Sequence, residues 1–217
     1  MLIAGLGGNC KDELIDILRR FNKDEVAFYT DIIDDINIPF FKKHGLNVLV
    51  GKASAAKYFS EVDNRFISMI GNNQNRQKQV IYLEKLGGKP SSYISNAAMV
   101  NESLAEISKK NVIIMHFANF SAGSKIEEGA IVYSYTAIAH DVHIGKYAFI
   151  SAHCAISNSV VGEYTFVGLN TMIGPGVQIG KNCVIGANSY VKNDLPDYTV
   201  AVGSPAKIIK KIQHLEP

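Results

Sequence analysis

Ile144-Gly145-Lys146-Tyr147-Ala148-Phe149-Ile150-Ser151-Ala152-His153-Cys154-Ala155-Ile156 decides the fold. An isoleucine returns at every sixth position. The beat runs back through Ile138, Val132 and Ile126 and forward through Val161, Val167, Ile173, Ile179, Ile185 and Val191, with a single step of five between Ile156 and Val161. An α-helix repeats near 3.6 residues and a lone strand pair cannot sustain such a register, so the spacing predicts a parallel β-solenoid with three hexads to a turn. The β-branched residues point inward and stack between coils. A second compact slot, filled by Ala130, Thr136, Val142, Ala148, Cys154, Thr165, Thr171, Val177, Cys183 and Ser189, also faces the interior. Gly145, Gly162, Gly168, Gly174, Gly180 and Gly186 follow the inward residues and are expected to form the tight corners.

Ahead of the repeats the rhythm changes. Met1 to Ala4 reads as a strand, followed by glycines and a helix from Asp12 to Phe21 with Leu14, Ile17, Leu18 and Phe21 on one face. Further strands are expected at Val26 to Tyr29, Leu46 to Val50 and Phe66 to Ile70, and a helix at Gln74 to Leu86, closed by Gly87-Gly88. This alternation implies a small Rossmann-like α/β domain over residues 1–92, a β-helix over 93–196 and a C-terminal cap over 197–217.

Composition removes several function classes. A net charge of +2 without a basic run leaves no footprint for nucleic acid, and no stretch approaches the roughly 20 apolar residues of a membrane span. The apolar start lacks a basic leader, so a cytoplasmic location is expected. Cys10, Cys154 and Cys183 have no metal spacing, and the last two fall in the inward slot.

Three segments carry candidate chemistry. Gly5-Leu6-Gly7-Gly8-Asn9, between a strand and a helix, offers close backbone approach and amides to a phosphate, and equally serves as a tight turn. Asp31 ends the second strand, where it could accept from a ribose or base. Gly71-Asn72-Asn73 combines amides and a helix cap with Arg76 at one sheet edge, and equally serves as capping alone. In the coils, His140-Asp141 suits a general base whose carboxylate orients the ring, provided the backbone turns between them. Counting eighteen residues per coil places Asn158 above His140 and Ala122 below it. His140, His143 and His153 occupy different hexad slots, so no metal site is expected.

With the terminal Val202-Gly203-Ser204-Pro205-Ala206-Lys207, these features resemble one family of hexapeptide-repeat acyltransferases. It is the sialic-acid O-acetyltransferase-like group that includes bacterial nucleotide-sugar 4-amino N-acetyltransferases. The resemblance implies a left-handed parallel β-helix, a homotrimer with active sites between subunits, His140 as base and Asp141 as its partner. Acetyl-CoA, as acyl-donor co-substrate, is expected along Gly168, Leu169, Gly186 and Ala187, with Asn158 near the reacting carbonyl and Lys192 and Lys207 at its phosphates. A nucleotide-linked amino sugar is expected at Gly5, Gly7, Gly8, Asn9, Asp31, Gly71, Asn72 and Asn73. Two departures stand out: Asn9-Cys10 where many relatives have His-Gly, and Phe149 where many carry a second histidine. The implied reaction is direct acetyl transfer to the sugar amine in bacterial glycan biosynthesis, with no cysteine relay and with a backbone N–H at a glycine corner meeting the oxyanion. Sugar O-acetylation on the same scaffold and a non-catalytic β-helix assembly subunit are the alternatives.

Overall fold

The computed structural model describes residues 1–101 and 103–212. Its first part is a five-stranded parallel sheet of β1 (Leu2–Ala4), β2 (Ala27–Thr30), β3 (Val48–Val50), β4 (Arg65–Ser68) and β5 (Lys89–Pro90), in the order β3-β2-β1-β4-β5. Five helices connect or flank these strands: α1 (Gly8–Asp12), α2 (Leu14–Arg20), α3 (Ile38–Lys43), α4 (Lys52–Glu61) and α5 (Asn73–Lys85). The single helix expected from Asp12 to Phe21 is thus two, and the break falls at Glu13, whose side chain is wholly buried. Helix α4 escapes the sequence reading because Ala55, Tyr58 and Phe59, its buried face, are diluted by lysine and serine.

The second part is a left-handed parallel β-helix of hexapeptide repeats. Two-residue strands stack into three sheets. The first face runs Glu106–Ile107, Lys125–Ile126, His143–Ile144, Val160–Val161 and Gln178–Ile179. The second begins at Tyr93–Ile94 and continues through Ile113–Ile114, Ile131–Val132, Phe149–Ile150, Phe166–Val167 and Val184–Ile185 to Thr199–Val202. The third holds Asn119–Phe120, Ala137–Ile138, Ala155–Ile156, Met172–Ile173 and Tyr190–Val191. Ile126 through Val191 form one core, and the second compact slot is buried with them. Threonines in that slot satisfy their hydroxyls on neighbouring carbonyls, as in Thr165 to Gly180 at 2.8 Å.

The corners work differently from expectation. Left-handed backbone is taken mainly by Asn111, Phe117, Tyr135, Asp141, Tyr147, His153, Asn158, Tyr164, Asn170, Asn182, Asn188 and Tyr198, not by the hexad glycines. Those glycines are required by proximity. A Cβ on Gly168 would stand 2.6 Å from the Ala187 nitrogen, so coils can lie this close only where a side chain is missing.

The two parts share a core. Outward-facing Ile113, Met115, Ile131 and Phe149 of the second face pack with Ile3, Leu6, Cys10, Ile17 and Phe28. Arg76 of α5, fully buried, fastens the seam. Its guanidinium donates to the carbonyls of Ile70 (2.8 Å), Gly71 (3.0 Å), Gly129 (2.7 Å), Tyr147 (2.7 Å) and Ala148 (3.3 Å) and to the Asn73 side chain (3.1 Å). At the far end Thr199–Val202 is followed by Lys207–Lys211, which folds back antiparallel onto it. Residues 213–217 of the expected cap lie outside the described residues.

Candidate functional site

His140 and Asp141 sit at the corner between the third and first faces. Asp141 takes φ 56°, which swings its carboxylate back so that Oδ2 lies 2.9 Å from His140 Nδ1. Both side chains are exposed. With Nδ1–H donating to the carboxylate, Nε2 keeps its lone pair and is the atom able to accept a proton. Asp141 leans over Gly123 of the coil below, where a Cβ would come 2.3 Å from Oδ1.

The coil above this corner is one residue shorter. Ile138 pairs with Ile156, eighteen residues on, whereas His143 pairs with Val160, seventeen on. Four residues, Ala139 to Val142, therefore face three, Ser157 to Ser159. Asn158 takes the left-handed position that Asp141 holds below it, at φ 38°, and its amide donates to the His140 carbonyl at 3.1 Å. Asn158 thus stands over Asp141, one place from the position a uniform count of eighteen gives, and the coil above has no residue in register with His140.

The other histidines are engaged elsewhere. His143 Nε2 meets Glu127 Oε1 at 2.8 Å, and His153 stacks flat on Tyr135 with centroids 5.0 Å apart. Among the described residues no three His, Cys, Asp or Glu side chains are arranged to hold a metal ion. Burial pushes the Cys154 thiol up to about 11 and raises Cys10 further, so neither supplies a thiolate at neutral pH.

The glycine turn, Asp31 and Gly71-Asn72-Asn73 lie at the carboxyl ends of the adjacent strands β1, β2 and β4, the edge where parallel sheets bind ligands. Gly5, with φ 91°, donates its amide to the Tyr29 carbonyl at 3.1 Å. Gly7, Gly8 and Asp31 are exposed. Asn9 folds onto Gly71, where a Cβ would meet its Nδ2 at 3.2 Å, which joins the turn to the second segment. Asn72 caps α5, accepting from the Asn75 amide at 2.9 Å, while Asn73 donates to the Tyr164 carbonyl of the solenoid at 2.8 Å. Arg76, expected as a cation at this edge, is consumed by the seam. Burial lowers its pKa to about 9, and it remains charged at neutral pH among carbonyl acceptors.

Between this edge and the second face run two clefts that share Phe166 and Val184. One, about 960 Å³, takes Gly71, Asn72 and Asn73 as its near wall. The other, about 580 Å³, has Asn9 and Asp12 on one side and Gly168, Leu169, Gly186 and Ala187 on the other. The structure therefore brings Gly168, Leu169, Gly186 and Ala187 together with Asn9 of the glycine turn, while Asn158 stands apart at the His140 corner. Lys192 and Lys207 are exposed near the C-terminal end and are not among the residues lining either cleft. His140 lies on the corner opposite the second face, away from both.

Asp12, Tyr133, Phe166 and Val184 line the groove and were not read from the sequence. For Tyr133, Phe166 and Val184 the signal is an apolar residue at the outward slot of a hexad, a place a solvated face would fill with polar groups; Asp12, on α1, has no such signal. Also unread is a buried cluster at the seam, in which Glu13 meets His116 Nδ1 at 2.7 Å and Tyr93 donates to Asp16 at 2.6 Å.

Comparison with known proteins agrees with this fold. Residues 1–83 match the PglD N-terminal domain family, and residues 123–158 and 158–193 match the bacterial transferase hexapeptide (six repeats) family. PerB from Caulobacter crescentus, solved with CoA and GDP-perosamine, is 26% identical with a TM-score of 0.82, covering 96% of each chain. The acetyltransferase domain of PglB from Neisseria gonorrhoeae, solved with acetyl coenzyme A, is 25% identical with a TM-score of 0.82, covering 96% of this chain and 98% of that one.

Proposed function

The chain belongs to the hexapeptide-repeat acyltransferases that carry a PglD-type N-terminal domain, and from that membership we propose an acetyl-CoA-dependent N-acetyltransferase for the amino group of a nucleotide-linked 4-amino sugar, acting in bacterial glycan biosynthesis. The observation that carries the reading is the His140–Asp141 pair, an oriented imidazole with a free Nε2 beneath a corner shortened by one residue.

The nucleotide occupies the edge formed by the glycine turn, Asp31 and Gly71-Asn72-Asn73, and the thioester lies along Gly168, Leu169, Gly186 and Ala187. The amine attacks the thioester carbonyl; the C–N bond forms to give a tetrahedral oxyanion, and its collapse breaks the C–S bond. His140 Nε2 takes the amine's proton, and Asp141 stabilises the resulting imidazolium. Coenzyme A leaves as the thiolate and collects a proton from the imidazolium. The amides of Gly168 and Gly186 already donate to the carbonyls of Ile185 and Ala201, both at 2.9 Å, so the oxyanion must be met by a different donor.

Base and groove lie on opposite sides of one prism, so one copy's His140 serves the groove of the next. This is the motive for a homotrimer. Exposed Phe117, Tyr135, Leu169, Met172 and Tyr190, on the third face and its corner, give that contact its apolar surface.

The test is thiol release from acetyl-CoA with a panel of UDP-, dTDP- and GDP-linked amino sugars, with the product identified by mass. Release with one sugar, abolished in His140→Ala, is expected. Acetylation of a hydroxyl in place of the amine would overturn the N-acetyl assignment, and failure to bind any CoA thioester would overturn the enzyme reading.

A further inference from the structure

One column of outward side chains on the second face changes size along the solenoid. Met115, Tyr133, Ser151, Gly168 and Gly186 each follow the inward residue of paired strands, Ile114, Val132, Ile150, Val167 and Ile185. The series falls from two large side chains to serine and then to glycine. The next member, Val202, leans back over Gly186, where a Cβ would meet its Cγ1 at 2.6 Å. The result is a trough three rungs long, about 14 Å at the inter-strand spacing of about 4.8 Å. Val202 bounds it at one end and Tyr133 at the other.

Tyr133 is a fixed end wall. Its hydroxyl donates to the Asp12 carboxylate, and its ring packs on Phe149, with centroids 5.9 Å apart; Phe149 in turn stacks on Phe166 at 5.5 Å. Both the apolar burial and the Asp12 carboxylate raise the phenol's pKa, so it stays neutral. The walls beside the trough are mostly carbon, with Phe149, Phe166 and Val184 on one side and Leu169 and Ala187 on the other.

We propose that Tyr133, tethered by Asp12, is the stop that sets the length of the transferred acyl group. The inference rests on the donor lying along Gly186 and Gly168 with its acyl end towards Ser151. A two-carbon acyl group ends short of the Tyr133 ring. Each further methylene meets the ring, and without the ring each would gain apolar contact worth roughly fourfold in affinity.

The experiment is calorimetric binding of acetyl-CoA and hexanoyl-CoA to the whole protein without acceptor, alongside turnover of both with the amino sugar. Wild type is expected to favour acetyl-CoA at least about tenfold. Tyr133→Ala should erase or invert that preference, Tyr133→Leu should give an intermediate ratio, and Tyr133→Phe, which keeps the ring, should retain the preference. Thermal melts establish that each variant is folded. Wild type binding both thioesters equally, or a folded Tyr133→Ala or Tyr133→Leu with the wild-type ratio, would overturn the proposal. If the binding ratio shifts as expected but no amino sugar is acetylated, the stop stands while the acceptor assignment falls; no thioester binding at all defeats both.

Discussion

Asp141 reaches the ring of its own neighbour because its backbone is left-handed and because the residue beneath it is glycine. Gly123→Ala is therefore expected to displace the carboxylate without touching the imidazole. Its kcat should fall while the acetyl-CoA dissociation constant stays put, the pattern seen in a KM-against-kcat comparison when orientation alone is lost. His140→Ala should cost about 10²- to 10⁴-fold in kcat with donor binding intact, and Asp141→Asn should cost less. An Asp141→Asn loss exceeding that of His140→Ala would make the carboxylate the base. The pair was legible because adjacent residues need only a turn to meet. The role of Arg76 was not legible because sequence shows a cation beside a helix start but not the Gly129, Tyr147 and Ala148 carbonyls that claim it. Glu13 and His116 meet across a separation of 103 residues, which no local pattern announces.

Helix α5 is held by its buried Val80 and Leu83 and also by the guanidinium it contributes to the seam. Arg76→Met should leave buried carbonyls unpaired and cost about 3 kcal/mol or more, read as a shifted denaturation midpoint. Between α1 and α2, burial raises the Glu13 carboxyl above its ordinary value of 4.5, against the pull of His116. A raised folded value contributes stability that is complete below the unfolded one and is lost as pH rises through the folded one. Melting temperature should therefore decline from about pH 4.5 upward in wild type, and Glu13→Gln should flatten that decline. A steeper decline in the variant would count against it. At this scale the hexads were readable because the repetition supplied many independent copies of one signal. Helix α4 was not, since its three buried residues occur once. The step of five and its corner were visible, but which residue lost its counterpart became clear only from strand pairing: His143 meets Val160, and Asn158 moves from above His140 to above Asp141.

For the whole molecule, the proposed trimer would make catalysis a property of neighbours, because His140 and the groove lie on opposite sides of one prism. Light scattering should report a trimer. Mixing inactive His140→Ala copies with inactive copies blocked at the turn by Gly7→Trp should restore activity, because some junctions then join an intact base to an intact groove. No recovery after subunit exchange would place the base and groove of one active centre on the same copy. The seam has a further, historical consequence. Solenoids ordinarily lengthen or shorten by whole coils, since each coil touches only its neighbours. Here Asn111, Gly129, Tyr147 and Tyr164 belong to four successive coils, each bonded to the docked sheet or its helix. A coil gained or lost among them would slide every partner one rung out of reach, so duplication and deletion during descent are barred from the lower solenoid and confined to the coils beyond it.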